Sequence, residues 1–157
     1  MEKYKASIII LMLLISSLGL IIGFSDVSNG STITVGDDGD YKKISSAISA
    51  ANSGDTIRIY SGTYYENLKI EKSVNLIGNG SEETIIHGGG KERTLWIKAK
   101  NVSISNLGIT SDTRSYSALA THKAEHVEIK NCSFWSSEHG VAACYSNNIT
   151  TENCSVN

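Results

Sequence analysis

The stretch HVEIKNCSF, residues 126–134, alternates apolar and polar side chains as a β-strand does, until it reaches Asn131. Asparagine is uncommon inside strands and favours turns, where its side chain tolerates left-handed backbone angles. Two other stretches, NVSISNLGI (101–109) and NITTENCSV (148–156), align with it and have asparagine at the same place. We therefore interpret the three stretches as copies of one unit, in which a strand ends at an asparagine turn.

The spacing of these copies indicates a β-solenoid. The equivalent apolar positions, at intervals of 25 (127 − 102) and 22 (149 − 127) residues, are Val102, Val127 and Ile149. The stretch SVNLIGNG (73–80) is a more divergent first copy. A strand-rich period of this length is typical of a solenoid, in which each copy forms one coil and the coils stack through parallel hydrogen bonds. Stacking brings the turn asparagines into a structural ladder of side-chain amides. The predicted ladder consists of Asn106, Asn131 and Asn153.

One helix is expected before the first copy. In DYKKISSAISAANSGD (40–55), apolar residues recur at positions i, i+3, i+4 and i+7 counted from Ile44, which is one face of a helix. Asp40 is a residue type that favours the N-cap, and Gly54 is one that favours the position after the last turn. The pattern predicts a helix at residues 41–52 that caps the first coil.

The first 25 residues are typical of a targeting segment. Lys3 and Lys5 precede an uncharged run, residues 6–25, that is rich in isoleucine and leucine. We expect either a signal peptide cleaved after Ser25 or an uncleaved membrane anchor, since the run approaches the roughly 20 residues that span a bilayer. In both cases residues 26–157 are exported as one domain. The protein is then secreted or at the cell surface, and it contacts the membrane only through the leader.

The charge balance limits the kinds of partner, and the positions of the cysteines limit how they can pair. Lys and Arg number 14 and Asp and Glu 16, for a net charge of −2 without a basic block, which argues against a nucleic-acid partner. Cys132 and Cys154 fall at equivalent positions of the repeat, where stacked coils either bring them within reach of a disulfide or leave them as two buried thiols.

Several motifs resemble one superfamily of solenoids. The segments GDTIRIY (54–60), GTYYEN (62–67) and LIGNG (76–80) resemble the opening of right-handed parallel β-helix proteins with the pectin-lyase-like fold. The later stretch EHGVAACYSNNITTENCSV (138–156) is similar to coils of the NosD-like branch for carbohydrate binding and sugar hydrolysis, which is frequent in archaeal surface proteins. The resemblance implies an all-β, right-handed parallel β-helix with an N-terminal capping α-helix.

No catalytic residue, metal ligand or cofactor is assigned from the sequence. Polysaccharide lyases of the superfamily use a carboxylate cluster, whereas Asp112 and Arg114 lie in a loop without one. The Gln, Asp and Arg motifs of pectin methylesterases, which the opening segment also resembles, have no counterpart here. His139 in EHG matches the Gly-His-Gly motif of polygalacturonase-type hydrolases only poorly.

Outward-facing aromatic residues are the candidates for ligand contact. Strand alternation points Trp96 and Trp135 away from the core, where aromatic rings can stack on sugars. The tyrosines that could join them are Tyr64, Tyr65 and Tyr116.

These patterns favour a non-enzymatic cell-surface or envelope protein that contacts a polysaccharide or a cell-surface glycoprotein. The alternative is a carbohydrate-active enzyme, either a polysaccharide lyase or a glycoside hydrolase. Residues 149–156 form most of a coil and no capping element follows. Because an open coil exposes unpaired backbone groups, this pattern predicts either a truncated member of a longer family or self-association through the open C-terminal coil.

Overall fold

The structure, a computed structural model, describes residues 30–89, 92–111, 117–135 and 140–156. Outside these ranges lie the predicted leader at residues 1–25 and four side chains considered above, which are Asp112, Arg114, Tyr116 and His139. In the described ranges, no helix combines the length and the apolar character that crossing a bilayer requires.

The described strands form three parallel sheets that wrap into a β-solenoid of about five turns. Sheet 1 contains β1 (Thr32–Val35), β2 (Thr56–Ile59), β5 (Asn75–Ile77), β8 (Lys100–Ser105), β11 (Glu125–Lys130) and β14 (Asn147–Glu152). Sheet 2 contains β3 (Gly62–Tyr65), β6 (Thr84–Gly88), β9 (Gly108–Ser111), β12 (Ser133–Trp135) and β15 (Ser155–Val156). Sheet 3 contains β4 (Leu68–Ile70), β7 (Leu95–Ile97), β10 (Leu119–His122) and β13 (Val141–Cys144).

The registers of sheet 1 confirm the repeat. Val127 pairs with Val102 on one side and with Ile149 on the other. Asn75 pairs with Ser103, which also aligns the divergent copy at residues 73–80 with the later ones. Equivalent side chains therefore meet in successive coils, roughly 4.8 Å apart.

Columns of aliphatic side chains fill the interior, because alternate residues of each strand point inward. One such column, fully buried in sheet 1, consists of Ile57, Leu76, Ile104 and Ile129. In the last coil the equivalent position is Thr151, which is exposed. Sheet 2 contributes the buried side chains Ile86, Ile109 and Phe134 to the same core.

Helix α1 (Ile44–Ala50) is shorter than the predicted 41–52. Asp40 is not its N-cap, because the carboxylate accepts hydrogen bonds from the backbone N–H and the hydroxyl of Thr34, at 2.8 and 2.7 Å. These hydrogen bonds lower the pKa of Asp40 below its usual value. The N-cap is Lys43, which has extended backbone angles and makes no capping bond with its side chain.

Two ionised side chains from later segments hold the ends of α1. Glu66, after β3, accepts hydrogen bonds from the N–H groups of Ile44 (2.8 Å) and Ser45 (3.1 Å). Lys72, after β4, donates from Nζ to three backbone carbonyl oxygens at the other end, at 2.7, 2.7 and 3.2 Å. An anion at the N-terminus and a cation at the C-terminus both complement the helix dipole.

The turns after the later strands of sheet 1 contain stacked asparagines. Asn106, Asn131 and Asn153 have φ values of 56°, 52° and 51°, in the left-handed region that asparagine tolerates. Asn131 Nδ2 donates to Asn106 Oδ1 at 3.1 Å, and Asn153 Nδ2 donates to Asn131 Oδ1 at 3.3 Å. A second column of left-handed residues lies near the start of the same strands and consists of Asn101, His126 and Asn148.

The three cysteines are free and differ in exposure: Cys132 is buried, Cys154 is half-buried and Cys144 is exposed. Burial raises the pKa of the Cys132 thiol to about 12. Its Sγ donates weakly to the carbonyl oxygen of Lys130 at 3.3 Å. The interior column at this position therefore contains thiols.

Candidate functional site

The aromatic residues singled out from the sequence lie on two different faces of the solenoid. Trp96 is on the outer face of sheet 3, between the buried Leu95 and Ile97. Tyr65 and Trp135 are on the outer face of sheet 2, in one register column but three coils apart. Three coils correspond to roughly 14 Å, so these residues do not form a single platform.

Two of the candidates pack against the protein itself. A Cβ at Gly108 would lie 2.4 Å from Cζ3 of Trp135, so the indole occupies the space that this glycine leaves. The hydroxyl of Tyr64 donates to the carbonyl oxygen of Tyr60 at 2.9 Å, and partial burial is the main cause of its raised pKa. Tyr65 is 77% exposed.

Three cations surround Trp96. The Nζ of Lys98 lies 3.8 Å from the ring centroid, while Lys69 Nζ and Arg93 Cζ each lie 5.9 Å from it. Cations are attracted to the negative face of an indole ring. We call this group, which comprises Lys69, Arg93, Trp96 and Lys98, the Trp96 face.

Local structure explains how the Trp96 face is assembled. Lys98 follows Trp96 by two residues, so both side chains point to the same side of sheet 3. Lys69 is the register partner of Trp96 in the neighbouring strand β4, and Arg93 lies in the connection before β7. Glu71 pairs with Lys69 at 2.7 Å, and the hydrogen bond from this lysine lowers the pKa of Glu71.

Other functional groups lie further along the outside of sheet 3. The register partner of Trp96 in β10 is Ala120, which is buried. Beyond it, His122 and Cys144 are register partners in β10 and β13. The His122 ring contacts the ring of Tyr145 edge-on, with 5.8 Å between the centroids. The outside of sheet 3 therefore offers an imidazole and an exposed thiol in addition to the cations.

This combination suits an acidic carbohydrate. An indole ring can stack on the apolar face of a sugar, and ammonium or guanidinium groups form charge-assisted hydrogen bonds with carboxylates. An imidazole can accept and return a proton in ester hydrolysis. Within the described ranges, no group of three or more His, Cys, Asp or Glu side chains is placed to hold a metal ion.

The sequence reasoning missed the cations around Trp96. The signal for Lys98 was present in TLWIKA (94–99), because strand alternation puts residues 96 and 98 on the same face. Lys69 could be found only from the register of β4 against β7, which the divergent first copy does not reveal. Arg93 lies in an irregular connection, where no sequence periodicity indicates the direction of the side chain.

Comparison with known proteins identifies enzymes. No protein-family model matches the chain. The "Probable pectinesterase/pectinesterase inhibitor 16" of Arabidopsis thaliana is 36% identical over an alignment of 78 residues that covers 45% of this chain and 15% of that protein. The solved pectin methylesterase of Erwinia chrysanthemi has a TM-score of 0.61 at 20% identity, over 80% of this chain and 48% of its own. For the Aspergillus niger pectin methylesterase the TM-score is 0.55 at 18% identity, over 82% and 56%.

These similarities establish the parallel β-solenoid and support the pectin-lyase-like superfamily. The chain spans about half the length of the solved structures it matches and 15% of the curated plant protein. The expectation of a non-enzymatic surface protein is contradicted, because the similar proteins are pectinesterases and pectin methylesterases. The expectation arose because outward-facing aromatic residues suggested ligand contact and no carboxylate cluster is visible in the sequence. The carbohydrate-active enzyme, weighed as the alternative, is the better-supported interpretation.

Proposed function

We propose that the protein is a carbohydrate-active enzyme of the pectinesterase kind and acts on an acidic, partly esterified polysaccharide. The observation that carries this proposal is the 36% identity over 78 residues to a probable pectinesterase. The solved pectin methylesterases, at 20% identity or less, support the fold on which such an enzyme is built.

The Trp96 face is the proposed binding surface for the polysaccharide. Lys98 Nζ rests 3.8 Å from the centre of the indole ring. A carboxylate of the substrate offers this ammonium a stronger, charge-assisted partner than the ring does. When Lys98 turns to the carboxylate, the ring surface becomes available to the sugar. Arg93 and Lys69, the latter paired with Glu71, add positive charge 5.9 Å from the ring centroid.

Ester hydrolysis also needs a proton acceptor and a group that stabilises negative charge on the carbonyl oxygen. Of the described residues on the outside of sheet 3, we assign His122 to the first role; Lys98 is engaged by the substrate carboxylate and is not assigned to the second. Water attacks the ester carbonyl carbon while the imidazole takes its proton. The bond to the alcohol oxygen then breaks, and the imidazole returns the proton to the leaving alcohol.

Three finer features belong to the same proposal. The coils are taken as right-handed, because parallel crossover connections are right-handed in nearly all known cases. Helix α1 is taken as the cap of the first coil, since it buries Ile44, Ala47 and Ile48. Export, either to the cell surface or to the medium, rests on the leader at residues 1–25. Membership of the NosD-like branch stays a prediction from the sequence.

The experiment is to incubate the protein with methyl-esterified polygalacturonan and to measure both methanol release and shortening of the polymer. We expect methanol release that is lost in His122→Gln. In Trp96→Ala, KM should rise about tenfold, which corresponds to 1.4 kcal/mol of binding free energy. Tyr65→Ala is the matched control, because it removes an exposed aromatic ring from sheet 2.

Three results would contradict the proposal. Polymer shortening without methanol release would identify a lyase or a glycoside hydrolase instead. Absence of any reaction on the esterified polymer would remove the esterase assignment. An unchanged KM in Trp96→Ala would show that the polysaccharide binds elsewhere.

A further inference from the structure

A cleft of about 530 Å³ opens near the ends of β1 and β2 and beside β3. We call it the acceptor cleft and define it by residues 36–38, residues 60–64 and Asn79, with Lys42 at its edge. It shares no residue with the Trp96 face, which lies on sheet 3. Any ligand of this cleft therefore binds at a site separate from the proposed polysaccharide surface.

Two tyrosines give the acceptor cleft an apolar surface. Tyr64 is fixed in place by its hydrogen bond to the carbonyl oxygen of Tyr60, at 2.9 Å. Gly62, at φ 152°, lies beside the Tyr64 ring, and a Cβ there would be 3.7 Å from Cε2 of that ring. Because glycine has no side chain, this side of the ring stays uncovered. A half-buried, immobilised tyrosine ring with one uncovered side provides a stacking surface for the C–H groups of a sugar.

The polar groups of the acceptor cleft are mainly hydrogen-bond acceptors. Asp37 and Asp38 are exposed, and neither carboxylate takes part in an ion pair among the described residues. Asn79 Nδ2 donates to Ser61 Oγ at 3.1 Å, which leaves Oδ1 of the same amide as an acceptor. Lys42 Nζ already donates to the backbone carbonyl oxygen of Asp37. A ligand must therefore supply hydrogen-bond donors.

We propose that the acceptor cleft binds a neutral sugar residue through Asp37, Asp38 and Asn79, with stacking on Tyr64. A sugar supplies hydroxyl donors to the acceptors and C–H groups to the ring. Two carboxylates repel an acidic sugar, so this cleft and the Trp96 face select ligands of different charge. Coulomb repulsion from Asp37 contributes to the raised pKa of Tyr64, in agreement with a negative potential here. The site does not depend on the proposed esterase activity.

The test is a titration of the full chain with neutral galacto-, arabino-, xylo- and gluco-oligosaccharides, followed by calorimetry or by NMR. Polygalacturonate and oligomeric glucosamine are the acidic and the cationic comparison. We expect at least one neutral oligosaccharide to bind, and Asp38→Asn and Asn79→Ala each to weaken its binding about tenfold, which corresponds to the loss of one hydrogen bond to the ligand. Glu82→Gln, a charge-matched change at an exposed residue outside the cleft, should leave the affinity unchanged.

Trp96→Ala separates the two sites, because it should weaken polygalacturonate binding and leave the neutral oligosaccharide unaffected. Failure of all neutral oligosaccharides to bind would overturn the proposal, whatever the esterase assay shows. Equal affinity in Asp38→Asn and the unsubstituted chain would also overturn it. Preferential binding of oligomeric glucosamine would reassign the cleft to cationic ligands.

Discussion

The turns of the first coils and those of the later coils are closed by different chemistry. In residues 30–89, ionised side chains reach backbone groups: the Asp55 carboxylate accepts from the N–H groups of Ser31 (2.8 Å) and Asn52 (2.7 Å). In residues 100–156, neutral asparagine amides stack on one another, as Asn131 does on Asn106. Each contact of the first kind is unique to its position, whereas the second kind repeats with the coil.

Electrostatics explains why only the second kind repeats. Equivalent residues of stacked coils are about 4.8 Å apart, and two like charges at that distance repel by roughly 3 kcal/mol at an effective dielectric constant of about 20. An amide both donates and accepts, so each one satisfies its neighbour. Unique charged contacts therefore suit the first coils, which pack against α1, and repeated amides suit coils that stack on their own copies.

The largest effect is expected where the charged contacts of the first coils are broken. Asp55 is buried, so Asp55→Ala leaves the N–H groups of Ser31 and Asn52 without their acceptor and should lower the free energy of unfolding by about 3 kcal/mol. Urea denaturation measures the change. Glu82→Ala removes an exposed carboxylate in the same region and is the control. A loss below about 1 kcal/mol in Asp55→Ala would show that the first coils do not depend on this contact.

Alkaline pH should act on the later coils through Cys132. Burial raises the pKa of this thiol to about 12 in the folded chain, whereas an unfolded cysteine loses its proton near the ordinary pKa of 9.0. The contribution of this thiol to the free energy of unfolding is therefore fully present below pH 9, and it is lost as the pH rises from 9 towards 12. At pH 10.5 the loss should be about 2 kcal/mol by linkage.

The test of the Cys132 prediction is urea denaturation at several pH values. Cys132→Ala should flatten the decline, whatever its effect at neutral pH. Cys144→Ala, which keeps the thiol at position 132, should retain it. Identical pH profiles for the two variants would remove Cys132 as the cause.

The middle of the asparagine ladder should contribute less to the free energy of unfolding than the charged contacts of the first coils do. Asn131→Ala removes two amide hydrogen bonds and puts alanine at φ 52°, for an expected loss of about 1.5 kcal/mol. Asn131→Gly removes the same hydrogen bonds but tolerates the angle, so it should cost about 1 kcal/mol. Thermal unfolding of both variants separates the backbone contribution from the amide contribution. Equal losses of unfolding free energy in the two variants would mean that the left-handed φ at position 131 does not destabilise alanine.

The smallest effect is expected at the end of the ladder. Asn153 makes one amide hydrogen bond in the ladder where Asn131 makes two. Asn153→Gly should therefore cost about 0.5 kcal/mol, half of the value for Asn131→Gly. Differential scanning calorimetry on the two glycine variants measures the ratio. An equal or larger loss at Asn153 would show that stacking, rather than the number of hydrogen bonds, determines ladder stability.

The sequence predicted the repeating part of the fold well, because repetition reveals register. Val102, Val127 and Ile149 could be aligned by eye, and their pairing in sheet 1 follows directly. The start of α1 could not be predicted in this way. Asp40 looks like an N-cap in isolation, but its carboxylate is engaged by Thr34, and the acceptor at the helix start is Glu66, 22 residues from Ile44.

The candidate site was predicted only in part, for a similar reason. Alternation placed Trp96 on the outside of its strand, but two of the three cations near its ring, Lys69 and Arg93, come from another coil and from a connection. The non-enzymatic interpretation rested on the types of the outward residues, and local identity to a probable pectinesterase contradicts it. Contacts between residues outside the repeat can be identified only from a three-dimensional structure.

The asparagine ladder has a direction. Each described amide donates towards the N-terminal side, from Asn153 to Asn131 and from Asn131 to Asn106. A duplicated coil of 22 residues, the interval between the last two rungs, would bring both the donor and the acceptor that its neighbours require. The molecule can therefore be lengthened by tandem duplication in whole coils of 22 or 25 residues, whereas an insertion that is not a whole coil would interrupt the ladder. A whole coil is therefore the unit by which either gene duplication or protein engineering can lengthen this solenoid.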